Sequence, residues 1–385
     1  MGSRWLGVGT SEGQQSASAG AEAATAALAG RDDAQLIIAF GGPGHDLADF
    51  LRGVNRTTGG VPLIGCSTAG GFSAAGPTDG GVVVTALGGT GFRVITRATE
   101  GLSSGQREAG RLAAEPMAEL GDAGQPLLIM FTDGQIGRQE EVVSGAYGVL
   151  GAGIPIAGGC AAADGPAPAT YVLHGDRVLS DAVVSAAIRS DGEFGVGVAH
   201  GYRPVGEPLM VTRSGDGFIF EFDDKPALDL YLDRLGAPPD AYHDEAAFAA
   251  FAMHHPLGLS RRSGEEMRFV ARADFGIRAI LPLADVPDGG TVRLMTGDEE
   301  DLLAAAATAR LDAMTALTAP ALGLLAVDCT ARRAVLADDK RLAREVELLA
   351  GSHLPLSGFY SLGEIARVRG INGFHHQTVV VLAVS

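Results

Sequence analysis

Residues 61–71 read VPLIGCSTAGG. An apolar strand containing a proline and running straight into a glycine-rich polar loop describes a strand that ends in a tight turn. The same construction returns as IPIAGGCAAADG at 154–165 and as LPLSGFYSLGEI at 354–365. Ahead of each copy stand an Ala-rich helical stretch, a short apolar strand (QLIIAF at 35–40, PLLIMFTDG at 126–134, LGLLAVDC at 322–329) and a second helix. Behind each comes a Val-rich strand: GGVVVTAL at 80–87, DAVVSAAI at 181–188 and QTVVVLAV at 377–384. A fixed order of elements at similar spacing predicts three related units, although identity between the copies is low.

The expected fold class is therefore α/β, with βαβ-type sheets covered by helices in three loosely similar units. Short continuous apolar runs predict strands covered on both faces by helices. The Val-rich strands are expected to pair with the proline-containing strand before them. Residues 191–297 break the pattern and predict an inserted antiparallel β meander. Within it, Gly-Asp-Gly at 215–217 signals a hairpin, Pro226 opens a helix and Gly236 stops it. The expected domains are 1–220, holding units at about 11–90 and 103–190, and 221–385.

The chain has 385 residues, 46% of them hydrophobic, enough for several buried cores. Twenty-nine basic against 46 acidic residues give a formal charge of -17, which opposes binding to nucleic acid or to an anionic membrane surface. The 3 cysteines, Cys66, Cys160 and Cys329, are scattered singly, without disulfide or zinc spacing, as expected of a reducing cytoplasm. Neither a secretory leader nor a membrane-spanning apolar run is expected from the sequence.

IGCSTAGGF, GVGVAHGYRPVGEPLMVTRSGDGFIFEFDDKPALDLY, PLSGFYSLGEI and FHHQTVVVLAV together resemble the FIST family of sensory proteins, with its N-terminal and C-terminal FIST domains. The resemblance runs along nearly the whole chain. It implies an intracellular, non-enzymatic sensor of small molecules such as amino acids or related metabolites. It also implies a signalling partner acting in trans, a histidine kinase or similar, and some relatives resemble haem-binding nitric-oxide sensors. Relatives usually read His-Asn-Gln-Thr where this chain has His375, His376, Gln377 and Thr378.

Candidate ligand-binding residues fall on the three post-strand loops. Cys66, Ser67 and Thr68 leave the first strand, where a nucleophile beside backbone amides would suit a hydrolase or transferase, an alternative that could also use Asp133. In the bland reading Cys66 is core, Ser67 and Thr68 cap the next segment, and Asp133 caps the helix beginning at Gln139. The second loop adds Cys160 and Asp164. The third adds Tyr360, Ser361 and Glu364, the last expected to pair with Arg367 or Arg369, together with His375, His376 and Gln377. Adjacent strand residues point to opposite faces, so the two histidines do not chelate one ion. No metal is expected and no cofactor is required; haem on one axial histidine is the alternative. The charged helix KRLAREVELLAG and the loop APPDAYHDE are expected to be solvated faces without a role.

Overall fold

The computed structural model describes residues 3–78, 80–163, 169–261, 264–284, 286–351, 353–367 and 373–385. Asp164 and Arg369 lie outside the described residues.

Unit one consists of β1 (Trp5–Ser11), α1 (Ser16–Leu28), β2 (Ala34–Gly41), α2 (Leu47–Thr58), β3 (Leu63–Ser67), the hairpin β4 (Gly71–Ser73) and β5 (Gly76–Thr78), and β6 (Val82–Gly88). Unit two repeats this order. It runs β7 (Phe92–Glu100), α3 (Gln106–Ala114), α4 (Pro116–Glu119), β8 (Gln125–Thr132), α5 (Gln139–Leu150), β9 (Ile156–Cys160), the hairpin β10 (Val172–His174) and β11 (Arg177–Leu179), and β12 (Ala182–Ser190). Unit three opens with β13 (Phe194–Ala199) and is then interrupted by an insert. The insert comprises β14 (Arg203–Gly215), β15 (Phe218–Phe222), β16 (Lys225–Pro226), α6 (Ala227–Leu235), α7 (Glu245–Ala252), β17 (Leu257–Arg261), β18 (Gly264–Arg268), β19 (Val270–Asp274), β20 (Ala279–Pro282) and β21 (Thr291–Thr296). The unit resumes with α8 (Glu299–Thr315), β22 (Gly323–Cys329), α9 (Thr330–Leu336), α10 (Asp339–Ala350), β23 (Leu356–Ser361), the hairpin β24 (Glu364–Arg367) and β25 (Phe374–His375), and β26 (Val379–Val384).

The three units share one sheet plan and exchange one hairpin each. The strand orders are β1-β6-β2-β3-β10-β11, β25-β24-β9-β8-β12-β7 and β13-β26-β22-β23-β4-β5. The hairpin of unit one thus completes the sheet of unit three, that of unit two the sheet of unit one, and that of unit three the sheet of unit two. Each Val-rich strand pairs antiparallel with the first apolar strand of its unit, not with the proline-containing strand as expected. The free edge of the proline-containing strand is what receives the neighbour's hairpin.

Helices cover only the outer face of each sheet. Leu36, Ile38 and Phe40 of β2, Leu127, Ile129 and Phe131 of β8, and Leu325 and Val327 of β22 point inward to one shared core. Their alternates pack outward, Ile37 and Ala39 under α1 and α2, Leu128 and Met130 among the side chains of α3 and α5, Leu324 and Ala326 among those of α8 and α10. Continuous apolar runs mean burial on both faces, and here sheet packs on sheet on the inner side.

At the centre three rings meet: Phe40 stacks on Phe359 at 4.4 Å, and Phe131 stands edge-on to both at 5.5 and 5.7 Å. The registered pairs there are Phe40 with Cys66, Phe131 with Gly159, and Val327 with Phe359. In each, a large side chain faces a smaller one, so one large ring per unit fills the axis. A Cβ on Gly159 would lie 2.6 Å from Val327 Cγ1 and 3.4 Å from Phe359 Cζ.

The insert has its own core around Leu209, Phe222, Tyr231, Phe248 and Leu294. Its strands join as one 8-stranded antiparallel sheet, and the expected hairpin forms with Asp216 and Gly217 both at positive φ. Gly236, at φ 67°, ends α6.

Candidate ligand pocket

Equivalent backbone hydrogen bonds tie the three post-strand loops into a ring. Ser67 N–H donates to Tyr171 O (2.9 Å), Cys160 N–H to Gly363 O (2.8 Å) and Tyr360 N–H to Gly70 O (2.9 Å), and these donors occupy matching positions in the three units. Thr68 Oγ1 lies 3.0 Å from Tyr360 O, and Ala162 N–H donates to Ser67 O.

Cys66 is a core residue between the sheets, and burial pushes its thiol up. Ser67 Oγ accepts from Tyr171 N–H, fixing the incoming hairpin, while Thr68 Oγ1 accepts from Gly70 N–H to close its own turn. Asp133 does not cap α5. Its carboxylate takes Gln135 N–H (3.0 Å), Thr170 Oγ1 (2.5 Å) and Asp181 N–H (2.7 Å), and α5 starts behind Arg138, at φ 65°, with no side-chain cap. The aspartate closes the turn after β8 and pins the chain entering β12.

Tyr360 is buried under the Arg333 guanidinium, 5.0 Å from its ring, and its hydroxyl has no partner among the described residues. Glu364 is fully buried, and of the two expected arginines the described one, Arg367, lies over the ring of Tyr147 instead. The partners are Ser361 Oγ (2.7 Å), Thr378 N–H (3.2 Å) and the Cys329 thiol. Burial raises this carboxyl well above the usual range, against the pull of those donors. His375 and His376 diverge, as neighbours on extended chain must. A ring nitrogen of His375 lies 3.2 Å from Ala366 O within the hairpin, while His376 enters a cavity.

That cavity has a volume of about 350 Å³ and is walled by Gly134, Gln135, Gly137, Gln139 and Cys160 from unit two, Leu362, Phe374 and His376 from unit three, and Leu283 from the insert. His376 is 4% exposed, its Nδ1 has no hydrogen-bond partner among the described residues, and its ring meets Phe374 edge-on at 5.0 Å. Gln139 Nε2 is spent on the carbonyls of Asp133, Gly134 and Ile136, which leaves its Oε1 as an acceptor. Burial, then Glu364, raises the Cys160 thiol.

Burial pushes His376 down to about 3, helped by Arg268 and His375, and pushes His200 down to about 4, helped by Arg332 and His375. Both rings are neutral when folded, so below the ordinary histidine range the unfolded chain binds more protons and stability falls with pH. Glu345 and Glu364, raised chiefly by burial, act in the opposite sense: their cost grows as pH rises above the carboxylate range and fades on acidification. Urea midpoints taken from about pH 7 to about 4.5 should therefore fall less in His376→Gln than in the wild type. Equal falls would show that His376 titrates like an exposed histidine.

Two family profiles match the chain, the FIST N domain over residues 35–225 and the FIST C domain over 227–367. The chain belongs to the FIST family. FIST domains are sensory-type domains for small ligands. An uncharacterised protein of Methanocaldococcus jannaschii is 27% identical over 263 residues, 62% of this chain and 49% of that protein. One from Mycobacterium tuberculosis is 29% identical over 221 residues, 53% of this chain and 54% of that protein. The chain thus spans about half the length of the curated relatives it matches. Among solved structures, a cyanuric acid hydrolase from A. caulinodans is similar over 49% of this chain and 71% of its own, at 10% identity and a TM-score of 0.29, too low to bear on fold or chemistry.

The cavity takes its walls from both FIST domains, Gly134 to Cys160 lying in the FIST N match and Leu283 and Leu362 in the FIST C match. Next to His376, Gln377 is fully buried at φ 51°, and its Nε2 donates to Met253 O (2.7 Å) after α7 and to Tyr202 Oη (3.0 Å) at the entry to the insert. One turn therefore touches the cavity with one residue and grips the insert with the next.

The sequence reading missed a buried ionic cluster beside this turn. Arg332 Nε donates to Asp328 (2.6 Å) and Nη2 to Glu345 (2.6 Å), with further bonds to the carbonyls of His200 and Leu302. Glu345 lies in the helix expected to be a solvated face, yet it is fully buried. Its apolar neighbours Leu342, Val346 and Leu349 recur at helical spacing and mark that face as inward, a signal present in KRLAREVELLAG. Among the described residues no group of acidic, histidine and cysteine side chains could hold a metal ion, and no helix is long and apolar enough to cross a membrane.

Proposed function

We propose that this FIST protein is an intracellular small-molecule sensor that binds its ligand in the cavity at the FIST N and FIST C junction and signals in trans to a partner such as a histidine kinase. The observation that carries the reading is the buried His376, whose Nδ1 has no hydrogen-bond partner among the described residues, in a cavity walled by both domains. A concave space at a domain interface, with apolar walls and polar groups that fix orientation, is where ligand sites are commonly found. Amino acids and related metabolites are the ligand class with which to begin.

The route to output would run through Gln377. A ligand that favours one position of His376 biases the adjoining grip on Met253 and Tyr202, and with it the placement of the insert, by its difference in affinity for the two states. The reading needs no catalysis and no cofactor. Against the hydrolase or transferase alternative, Cys66 is sealed in the core with its thiol pushed up, whereas a nucleophile needs access and a lowered value.

A thermal-shift screen of metabolites tests the proposal, since a ligand binding only the native state raises Tm. The expected result is a shift in wild type that is lost in His376→Ala, with a Gln377→Ala variant that still binds but no longer changes the protease sensitivity of the insert. Absorbance after haem addition, run in parallel, separates the haem alternative. A wild-type protein whose Tm no metabolite moves would end the sensor reading.

A further inference from the structure

The cavity's chemistry narrows the ligand class, an inference that rests on the sensor reading above. Three charged side chains near the walls, those of Asp133, Glu364 and Arg268, are committed to protein partners. Asp133 accepts three donors, from its own turn and from the chains entering β10 and β12. Glu364 accepts from Ser361 and from Thr378 N–H. Arg268, near His376, is paired with Glu266 at 2.9 Å, both side chains being nearly fully buried. The walls carry His376, Gln135, Gln139 and Cys160 as polar side chains and Leu283, Leu362 and Phe374 as apolar ones, with no charged residue among those described.

A free amino acid entering this space would give up the hydration of a carboxylate and an ammonium to groups that offer dipoles and no countercharge. Burying an ion on those terms is far costlier than burying an amide that finds its hydrogen bonds. A neutral imidazole presents one ring nitrogen to a ligand edge, as a donor in one tautomer, and Gln139 supplies an acceptor. Their complement is a neutral edge with both N–H and acceptor atoms. At about 350 Å³ the space lies at the small end of ligand sites.

We infer that the cavity selects an uncharged small molecule with an apolar body and one amide- or azole-type edge, in preference to a zwitterionic amino acid. His376 and Gln139 read the edge, and Phe374, Leu283 and Leu362 hold the body. His376 stays neutral through the physiological range, with burial pushing it to about 3, so binding should not change between about pH 6 and 8 through this residue.

Titration calorimetry on the full chain tests this with two probe sets: nicotinamide, benzimidazole and cyclo(Gly-Leu) as uncharged molecules, and leucine, phenylalanine and tryptophan as zwitterions. The expected result is binding of at least one uncharged probe, about tenfold or more weaker in His376→Ala, partly kept in His376→Gln, and undetectable binding of the zwitterions. A circular dichroism melt confirms that each variant is folded, and Gln139→Ala gives a second reading of the same edge. Zwitterions that bind in a His376-dependent way would overturn the inference while leaving the sensor standing. Silence from both sets and from the wider metabolite screen would remove the sensor reading itself.

Discussion

Arg332→Met is expected to cost about 3–5 kcal/mol of folding stability, because it leaves Asp328 facing Glu345 inside the protein with no cation between them. Burial disfavours the guanidinium charge, but Asp328 and Glu345 outweigh it and hold the group firmly charged. Glu345 in turn is raised by burial and then by Asp328, against the opposing pull of Arg332. Removing the arginine also frees the carbonyls of His200 and Leu302, through which α9 holds the insert's entry and α8. Urea denaturation at neutral pH measures the loss. The triple variant Asp328→Leu, Arg332→Met, Glu345→Leu should recover much of it, since a neutral interior of similar volume leaves no charge unpaired. A single variant within about 1 kcal/mol of wild type would mean that water reaches the cluster.

Gly158→Ala is the second large effect, about 3–5 kcal/mol, combining backbone strain and overpacking. The residue sits at φ +147°, and a Cβ there would lie 1.8 Å from Met130 O on the neighbouring parallel strand. Backbone on one side and backbone on the other leave no flexible side chain to give way. Gly65 stands at the matching position of unit one, 1.8 Å by the same measure from Ala39 O, and Gly358 in unit three meets the ring of Phe72 at 2.1 Å. Gly148→Ala, inside α5 with open space around it, serves as the control and should be stabilising by up to about 1 kcal/mol. Comparable melting curves for the two variants would show that β8 and β9 can separate at no great cost, and would weaken the view that these glycines set the distance between strands.

Those glycines explain why much of the fold was legible. Pro62, Pro155 and Pro355 each stand three residues before the glycine that lets two parallel strands close up. The proline and glycine signature therefore reports local backbone geometry, which neighbouring residues dictate. Gly236 and the Gly-Asp-Gly turn were readable for the same reason. Of the candidate site, the loops were legible and the roles were not. Asp133 looked like a cap because a carboxylate before a helix usually is one, and its actual donors, Thr170 and Asp181, lie 37 and 48 residues away. Glu364 reads as half of an ion pair because arginines follow it, yet Arg367 turns to Tyr147 and the partners among the described residues are Ser361, Cys329 and Thr378.

The order of elements, the three units and the burial of their central strands on both faces were determined by the sequence alone, because periodicity, proline and glycine act over a few residues. Only the tertiary structure decided that the inner faces pack on one another, that hairpins pass from unit to unit, and that His376 points into a cavity while Gln377 grips the insert. Those outcomes depend on which edge of a proline-containing strand is left free and on how Phe40, Phe131 and Phe359 share one axis, and both are contacts between residues far apart in the chain.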